Sequence, residues 1–134
     1  MDDAQPLFAQ ISNALSQQII NGTLPEGRQV PSTTELASFY RVNPATAAKG
    51  ANQLVDAGIL FKRRGIGMFV AEGARQRLLQ QRRETFQTNF VDPLLAEAEI
   101  LGITPTELLQ HLKVALTEVN GHAGRSTEPE QKVR

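Results

Sequence analysis

The sequence has no cysteine, no tryptophan and only one tyrosine among its 134 residues. Without cysteine the chain forms neither disulfides nor thiolate metal sites, and thiol catalysis is excluded. No apolar run approaches the roughly 18 residues that a membrane span needs, and the acidic start Met1-Asp2-Asp3 does not resemble a signal peptide. These absences predict a cytoplasmic protein without a membrane partner.

Residues suited to acid–base or metal chemistry are also few. Of the two histidines, His111 lies at the polar edge of a leucine stripe and His122 lies in a polar C-terminal segment. Glu97 and Glu99 are two positions apart, so on a helix they point to different faces and cannot act as a pair. The sequence therefore predicts no enzyme, no catalytic residues, no metal and no cofactor, although an unidentified small-molecule effector could bind between helices.

The net charge is zero, but the charges are unevenly distributed. The segment from Arg28 to Arg64 has six basic and two acidic residues, a local balance of +4. A neutral chain is unlike a general nucleic-acid coat protein, which is typically basic. A local basic face instead suits a protein that reads a DNA sequence through few phosphate contacts, and such binding weakens as salt rises.

Two helix starts lie close together in the first half of the chain. Ser32 and Glu35 have the spacing of a capping box. Asn43-Pro44 starts the next helix, since Asn is a strong N-cap and Pro at the first helical position loses no hydrogen bond. The short turn between the helices forces a sharp crossing. This spacing predicts a helix-turn-helix whose second helix, ending near Gly58, enters the major groove of double-stranded DNA.

Two short runs with β character follow, Ile59-Leu60-Phe61-Lys62 and Met68-Phe69-Val70. Between them lies Arg63-Arg64-Gly65-Ile66-Gly67, whose glycines let the chain reverse. An isolated pair of arginines usually marks a solvated loop. Arginines at a hairpin tip that follows a helix-turn-helix instead suit a phosphate backbone or a narrow minor groove. The order of elements predicts a winged helix-turn-helix.

Apolar residues recur every four positions near the N-terminus and predict an amphipathic helix of about four turns behind the helix-turn-helix. These residues are Leu7, Ile11, Leu15 and Ile19. Gly22 is the expected end of this helix. We interpret Phe39 and Tyr40 as core residues rather than as a base-stacking platform, which needs several exposed aromatic side chains.

A set of motifs follows at fixed spacing through the first 70 residues. Its members are Pro6-Leu7-Phe8-Ala9-Gln10-Ile11, Gly22-Thr23-Leu24-Pro25-Glu26-Gly27, Val30-Pro31-Ser32, Glu35-Leu36-Ala37 and Gly65-Ile66-Gly67-Met68-Phe69-Val70. This part of the chain resembles the DNA-binding domain of GntR-type bacterial transcription regulators. Further motifs are similar to the YtrA-type subgroup, namely Val42-Asn43-Pro44 with Thr46 and Lys49, Glu97-Ala98, Leu101-Gly102-Ile103 and Glu107-Leu108.

Several positions depart from the family pattern. The family usually has Arg where Thr34 stands, and Arg is the commonest bidentate reader of guanine. The subgroup often has Asn at Ala45 and a larger apolar residue at Ala47, and it commonly has Ala-Tyr where Gly50-Ala51 stands. Ala45 can only touch a thymine methyl group or pack. The resemblance therefore implies DNA binding, whereas the family's sequence preference does not carry over.

The chain is again predicted to be helical from about Ala74. An apolar stripe at helical spacing runs along it, made of Leu79, Phe86, Phe90, Leu94, Ala98 and Leu101. Pro93 is expected to kink this helix or to begin a new one capped by Asp92. Thr104 and Glu107 form a second capping box. The helix it opens carries Leu108, Leu109, Leu112, Leu116 and Val119.

Two amphipathic helices with little else to cover predict that the partner is a second copy of the chain. The expected dimerisation residues are Leu79, Phe86, Phe90, Leu94, Leu101, Leu108, Leu112 and Leu116. A two-fold dimer buries this stripe and places two recognition helices on one face of DNA. The alternative is that both helices fold back on their own winged domain.

The predicted fold class is mainly α with a small β-hairpin, an N-terminal winged helix-turn-helix followed by a short dimerisation region of two to three helices. We expect residues 1–73 to form the DNA-binding domain and residues 74–119 the helical dimerisation or effector region. Residues 120–134 are polar, with two glycines and a proline, and are expected to be a disordered tail.

The function favoured by this pattern is a sequence-specific transcription regulator, a homodimeric repressor that occludes a promoter at an inverted-repeat operator. The resemblance implies target genes for transporters or cell-envelope stress, and a bacterial cytoplasmic location at the nucleoid when DNA-bound. Regulation is expected to act through the helices that begin near Arg75. The expected DNA-binding residues are Ser32, Thr33, Thr34, Asn43, Ala45, Thr46, Lys49, Gln53, Arg63, Arg64 and Gly65, with Arg28 and Arg41 as weaker phosphate contacts.

Two alternative functions stay open. The winged domain could be a protein-interaction module that no longer reads DNA, because Thr34 and Ala45 stand where polar readers are expected. Steep salt dependence of DNA binding would argue against that alternative. The chain could also be a small-molecule sensor with DNA binding as one output, and thermal stabilisation by a metabolite without DNA would support this.

Overall fold

The computed structural model describes residues 5–126, and the side chains of residues 5–121. Contacts divide the chain into two compact units, Met1–Thr85 and Phe86–Arg134. We call the first the winged unit and the second the C-terminal unit. Both units are mainly helical, and the winged unit also contains a two-stranded hairpin. The predicted fold class, mainly α with a small β-hairpin, is confirmed.

The winged unit begins with three helices. α1 spans Leu7–Asn21, α2 spans Thr33–Tyr40 and α3 spans Pro44–Asp56. Gly22 ends α1 in the left-handed conformation with φ 92°, which glycine adopts without a steric cost. Arg41 ends α2 with φ 58° and turns the chain sharply into α3. The helix-turn-helix predicted from the sequence is confirmed.

Side-chain caps fix where α2 and α3 begin. The Ser32 hydroxyl accepts from the Glu35 amide at 3.1 Å, and the Glu35 carboxylate accepts from the Ser32 amide at 2.8 Å. The Asn43 side chain accepts from the Thr46 amide at 2.8 Å. Each cap satisfies amide groups that have no partner within the helix. Both predicted helix starts are therefore confirmed.

The wing is an antiparallel hairpin of β1, Leu60–Arg63, and β2, Gly67–Val70. The chain segment that leads into α2 lies along β2 as an irregular third edge. There Gln29 forms a bridge with Phe69, and the Val30 amide donates to the Met68 carbonyl at 2.9 Å. The wing is thus tied to the start of the helix-turn-helix.

α4, Ala74–Glu84, closes the core of the winged unit. Ala74 and Leu78 are buried. The Arg75 guanidinium donates to the Ile20 carbonyl, and that of Arg77 donates to the Gly58 carbonyl, both at 2.8 Å. The predicted domain boundary at residue 73 therefore lies before a helix that packs within the winged unit, and the unit ends at Thr85.

One continuous core holds these elements together. It contains Ile11, Leu15, Ile19, Leu24, Val30, Leu36, Ala37, Ala47, Ala51, Leu54, Ile59, Leu60, Met68, Val70, Ala74 and Leu78. Tyr40 packs against it, and burial raises the pKa of the Tyr40 phenol. Phe39 has 77% of its surface exposed, so the interpretation of Phe39 as a core residue is wrong. It follows Ser38 on the solvent side of α2 and touches the Tyr40 ring edge-on.

The C-terminal unit starts with a π-helical segment, Gln87–Val91, that runs into α5, Asp92–Leu101. Pro93 lies in the first turn of α5, but the backbone stays helical across Val91 and Asp92, so the π-helical segment and α5 form one continuous helix. The irregularity before Pro93 is the π-helical segment, and the predicted fresh helix start is wrong, as is the predicted cap at Asp92. The Asp92 carboxylate instead accepts from the Gln87 side chain at 3.0 Å.

α6, Pro105–Ser126, is the longest helix that the structure describes. The capping box predicted at its start is present, with the Thr104 amide donating to Glu107 at 2.9 Å and the Glu107 amide donating to Thr104 at 3.2 Å. The helix passes residue 120, where the disordered tail was expected to begin, and residues 127–134 of that tail lie outside the described residues. None of the described helices combines the length and apolar character that a membrane span requires.

Candidate nucleic-acid interface

The recognition helix α3 has a buried face and an exposed face. The buried residues are Ala47, Gly50, Ala51 and Leu54. The predicted DNA-binding residues of this helix are exposed or partly exposed, namely Asn43, Ala45, Thr46, Lys49 and Gln53. Every side chain expected to contact DNA from α3 is accessible.

A groove of about 380 Å³ separates α3 from the wing. Its lining residues are Ser32, Thr33, Ala48, Asn52, Lys62, Arg63, Arg64, Gly65, Ile66, Gly67 and Met68. The fold thus brings the start of α2, one edge of α3 and the wing tip to a single surface. Sequence reasoning missed Lys62 on the wing, and on α3 it missed Ala48 and Asn52. Their spacing of four residues, in helical phase with Ala45, was the signal that could have found them.

The groove is electropositive. Three of its lining residues, Lys62, Arg63 and Arg64, are cationic and exposed, and no lining residue is acidic. The Arg63 guanidinium lies over the Phe69 ring, 5.4 Å from its centroid, and Phe61 stacks on Phe69 at 5.6 Å. Contact with an aromatic face restrains an arginine while leaving its charge available. The arrangement suits a polyanion such as a phosphate backbone.

The wing tip is held in place by Gln29. Its side-chain amide donates to the Ile66 carbonyl at 3.0 Å. A Cβ at Gly67, which has φ 147°, would lie 2.5 Å from the Gln29 amide nitrogen. Glycine at this position therefore serves both the backbone conformation and the close approach of the glutamine. As a result the tip arginines project from a fixed hairpin.

Lys49 lies on the side of α3 that faces α1. Its ammonium nitrogen is 4.1 Å from the centroid of the Phe8 ring. The neighbouring Gly50 allows this approach, because a Cβ there would lie 2.7 Å from the Phe8 carbonyl oxygen and 3.1 Å from the Ile11 Cβ. The departure from the family pattern at Gly50 thus has a physical reason, which is the close packing of α1 on α3.

Eight of the thirteen predicted DNA-binding residues lie outside the groove lining. Five of them belong to α3 and its N-cap, namely Asn43, Ala45, Thr46, Lys49 and Gln53. Thr34, Arg28 and Arg41 are exposed, but the groove does not include them. Arg41 projects from the turn between α2 and α3, where its backbone is left-handed. Within the described side chains, no group of three His, Asp or Glu residues could hold a metal ion.

The predicted dimerisation residues divide between the two units. Leu79 is partly buried in the winged unit. The others belong to the C-terminal unit, where Leu108 is partly buried and the rest are exposed, namely Phe86, Phe90, Leu94, Leu101, Leu112 and Leu116. The Phe86 and Phe90 rings lie 5.9 Å apart. A large apolar surface is therefore accessible on this unit.

The winged unit packs α1, α2 and α3 together, with α3 as the capped recognition helix, and a cationic hairpin follows. This combination defines a winged helix-turn-helix protein. Residues 7–70 match the family of bacterial regulatory proteins known as the gntR family. The winged helix-turn-helix of this chain is a gntR-family domain.

Individual relatives resemble the chain beyond that domain. The regulator YhcF of Bacillus subtilis is 26% identical over 110 residues, which are 82% of this chain and 89% of YhcF. The repressor YtrA of the same organism is 26% identical over 116 residues, 87% of this chain and 88% of YtrA. A solved GntR-family regulator from Listeria monocytogenes has a TM-score of 0.66 at 26% identity, covering 84% of this chain and 97% of its own. The likeness thus includes both units, and these relatives are named as regulators rather than enzymes.

Proposed function

We propose that this protein is a homodimeric, cytoplasmic transcription repressor that binds an inverted-repeat DNA operator. The observation that carries the proposal is the groove of the gntR-family domain, which joins the recognition helix to three cations and contains no acidic lining residue. The similar protein YtrA is named as a transcriptional repressor. Repression follows if the bound dimer occludes a promoter.

The recognition helix supplies the sequence preference in this proposal. Its start, with Asn43, Ala45 and Thr46, enters the major groove, where the N-terminal residues of such helices meet base edges. Ala45 offers only a methyl group, which suits the methyl group of thymine. Gln53 is exposed about two to three turns further along and can pair with adenine or contact a phosphate.

Residues around α3 supply the backbone contacts. Arg63, Arg64 and Gly65 place the wing against the adjacent groove of the duplex. The Ser32 hydroxyl accepts from the Glu35 amide and keeps its own O–H for donation, so Ser32, Thr33 and Thr34 can each donate to a phosphate. Two further exposed cations, Arg28 and Arg41, add longer-range attraction.

Dimerisation is proposed for the C-terminal unit. Its exposed leucines and phenylalanines would be buried in a two-fold contact between copies, whereas Leu79 contributes less because the winged unit already covers part of it. The helix that begins near Arg75 was expected to transmit regulation. That helix is tied to Ile20 and Gly58, so an effector would have to act beyond Thr85. As for YtrA-type regulators, transporter or cell-envelope stress genes are the proposed targets.

Selection of bound fragments from random double-stranded DNA tests the proposal. We expect recovery of an inverted repeat whose half-site centres are about one helical turn, or a multiple of it, apart. Affinity for this repeat should fall as salt rises. The matched control is the double variant R63Q/R64Q, which keeps polar, unbranched side chains at the wing tip but removes two charges. Absence of enrichment, with no salt-dependent binding to any duplex, would contradict the proposal.

A protein-interaction module is the second candidate. The observation that favours it is the small, apolar centre of the exposed face of α3, where Ala45 and Ala48 stand. The same selection decides between the two candidates, because an interaction module would enrich no DNA sequence.

A further inference from the structure

We propose that Phe8 is a positioning residue that holds the Lys49 ammonium group for contact with a DNA phosphate. The inference rests on the proposed DNA binding and adds a residue from α1 to it. Its basis is the contact between the two side chains, with the Lys49 nitrogen 4.1 Å from the ring centroid. A cation within about 6 Å of an aromatic face is attracted by the negative face of the ring.

Phe8 restrains a side chain that would otherwise be mobile. Lysine carries its charge on a flexible four-carbon stem and loses rotamer freedom when it binds a ligand. Lys49 is exposed, whereas Phe8 is partly buried at the start of α1. The ring is therefore the better-fixed member of the pair. Holding the ammonium group before DNA arrives reduces the ordering that binding requires.

The position of the ring is itself set by close helix packing. Gly50 has no side chain, so the backbone of α1 reaches α3 at Phe8. The start of α1 is further fixed by the Asn13 side chain, which donates to the Gln5 side chain at 3.0 Å. The packing against Gly50 and the hydrogen bond between Asn13 and Gln5 together fix the backbone at Phe8.

The charges near α3 indicate which part of DNA Lys49 meets. Lys62, Arg63 and Arg64 lie on the wing side of the groove, and Lys49 is absent from the groove lining. Lys49 instead faces α1 through Phe8. A helix in the major groove has a phosphate backbone along each wall, and most protein contacts go to these phosphates. Lys49 and the wing cations therefore suit opposite walls.

The test compares the full-length parent with F8L, F8Y, K49M and F8L/K49M on a labelled duplex carrying the selected operator. Dissociation constants are measured at several salt concentrations. F8L should weaken binding roughly two- to fivefold, the size expected for an exposed cation–π contact, and leave the salt slope unchanged. F8Y keeps the aromatic face and should match the parent. K49M should lower the salt slope by about one, and F8L should then cause no further loss.

F39L is the matched control, since Phe39 is an exposed ring on α2 and should not alter affinity when shortened. The Lys49 side-chain proton shifts in the free protein provide a second readout, because a ring face moves them upfield and F8L should remove that shift. If the parent binds the operator but F8L binds equally well, or loses the same factor with and without Lys49, the inference is overturned while DNA binding stands. If the parent binds no duplex, the proposed function fails and the inference fails with it.

Discussion

The two units bear the same amphipathic helix pattern but differ in how that pattern is covered. In the winged unit Ile11, Leu15 and Ile19 are each at most 2% exposed. In the C-terminal unit Leu101 is 62% exposed and Leu116 is 59% exposed. Among the described side chains of the C-terminal unit, Ala98 is the single buried apolar residue. Helical spacing therefore shows that a face is apolar, but not whether its partner lies in the same chain.

This difference separates two sources of stability. The winged unit gains its stability by burying apolar surface within itself. Helical stability in proteins comes mostly from packing of an amphipathic face, and the C-terminal unit leaves that face exposed. We therefore expect the winged unit to respond to core substitutions and the C-terminal unit to respond to protein concentration.

The largest expected effect is in the winged core. L15A should lower the free energy of unfolding by about 2–5 kcal/mol, because it removes a buried side chain and leaves a cavity. L116A, the same change in the C-terminal unit, should leave the urea unfolding of the winged unit unchanged. Equal losses in the two variants would show that the units do not differ as described.

Next in size is the expected effect on the proposed dimer. L116E places a charge on the exposed apolar face of α6 and should raise the dimer dissociation constant about 100-fold, or ~2.7 kcal/mol. Sedimentation over a range of concentrations measures it. V114E is the matched control, since Val114 is also exposed but lies on the opposite side of the helix. An unchanged dimer in L116E would refute self-association through this face.

A smaller effect is expected where two helices meet. G50A should destabilise the winged unit by about 1–3 kcal/mol, because the new Cβ would lie 2.7 Å from the Phe8 carbonyl oxygen. G121A adds the same methyl group to α6, where nothing lies within 4 Å. It should raise helix stability by up to about 1 kcal/mol. Thermal unfolding followed by circular dichroism compares the signs, and a stabilised G50A would contradict the close packing of α1 on α3.

The smallest expected effects concern the two capping boxes. S32A and T104A should each cost about 1 kcal/mol, the usual loss when an N-cap hydroxyl is removed. The two boxes have similar hydrogen bonds, so the chemistry is matched and only the surroundings differ. In S32A the loss should appear in the urea midpoint. In T104A the loss should appear as a weaker proposed dimer. A shift of the winged unit's urea midpoint in T104A would contradict the separate stabilisation of the two units.

The parts of the fold that could be predicted are those with local signals. Ser32 with Glu35, Asn43 with Pro44, and the Gly-rich tip after Arg64 each depend on residues a few positions apart. The place of α4 could not be predicted in this way. Its anchors are hydrogen bonds from Arg75 and Arg77 to distant carbonyl groups, and two arginines in a polar helix carry no sign of such partners.

The candidate site was predictable for its charges and less so for its shape. Exposed cations such as Arg63 and Arg64 follow from the hairpin pattern, but the inclusion of Asn52 in the groove depends on how the wing lies against α3. The Phe8 contact with Lys49 joins residues 41 positions apart. This contact depends on Gly50, which lets α1 pack closely on α3. The sequence alone does not show that these two helices meet at Gly50.

The separation of faces on α3 has a consequence for engineering. Ala45 and Asn52 lie outside the core, while Ala47, Ala51 and Leu54 belong to it. Under the proposed mode of DNA binding, side chains that contact new base pairs can therefore be introduced at the outer positions without changing the residues that specify the fold. A library varied at those positions would reprogramme the protein for chosen promoters, with the native wing and helix caps as a constant scaffold.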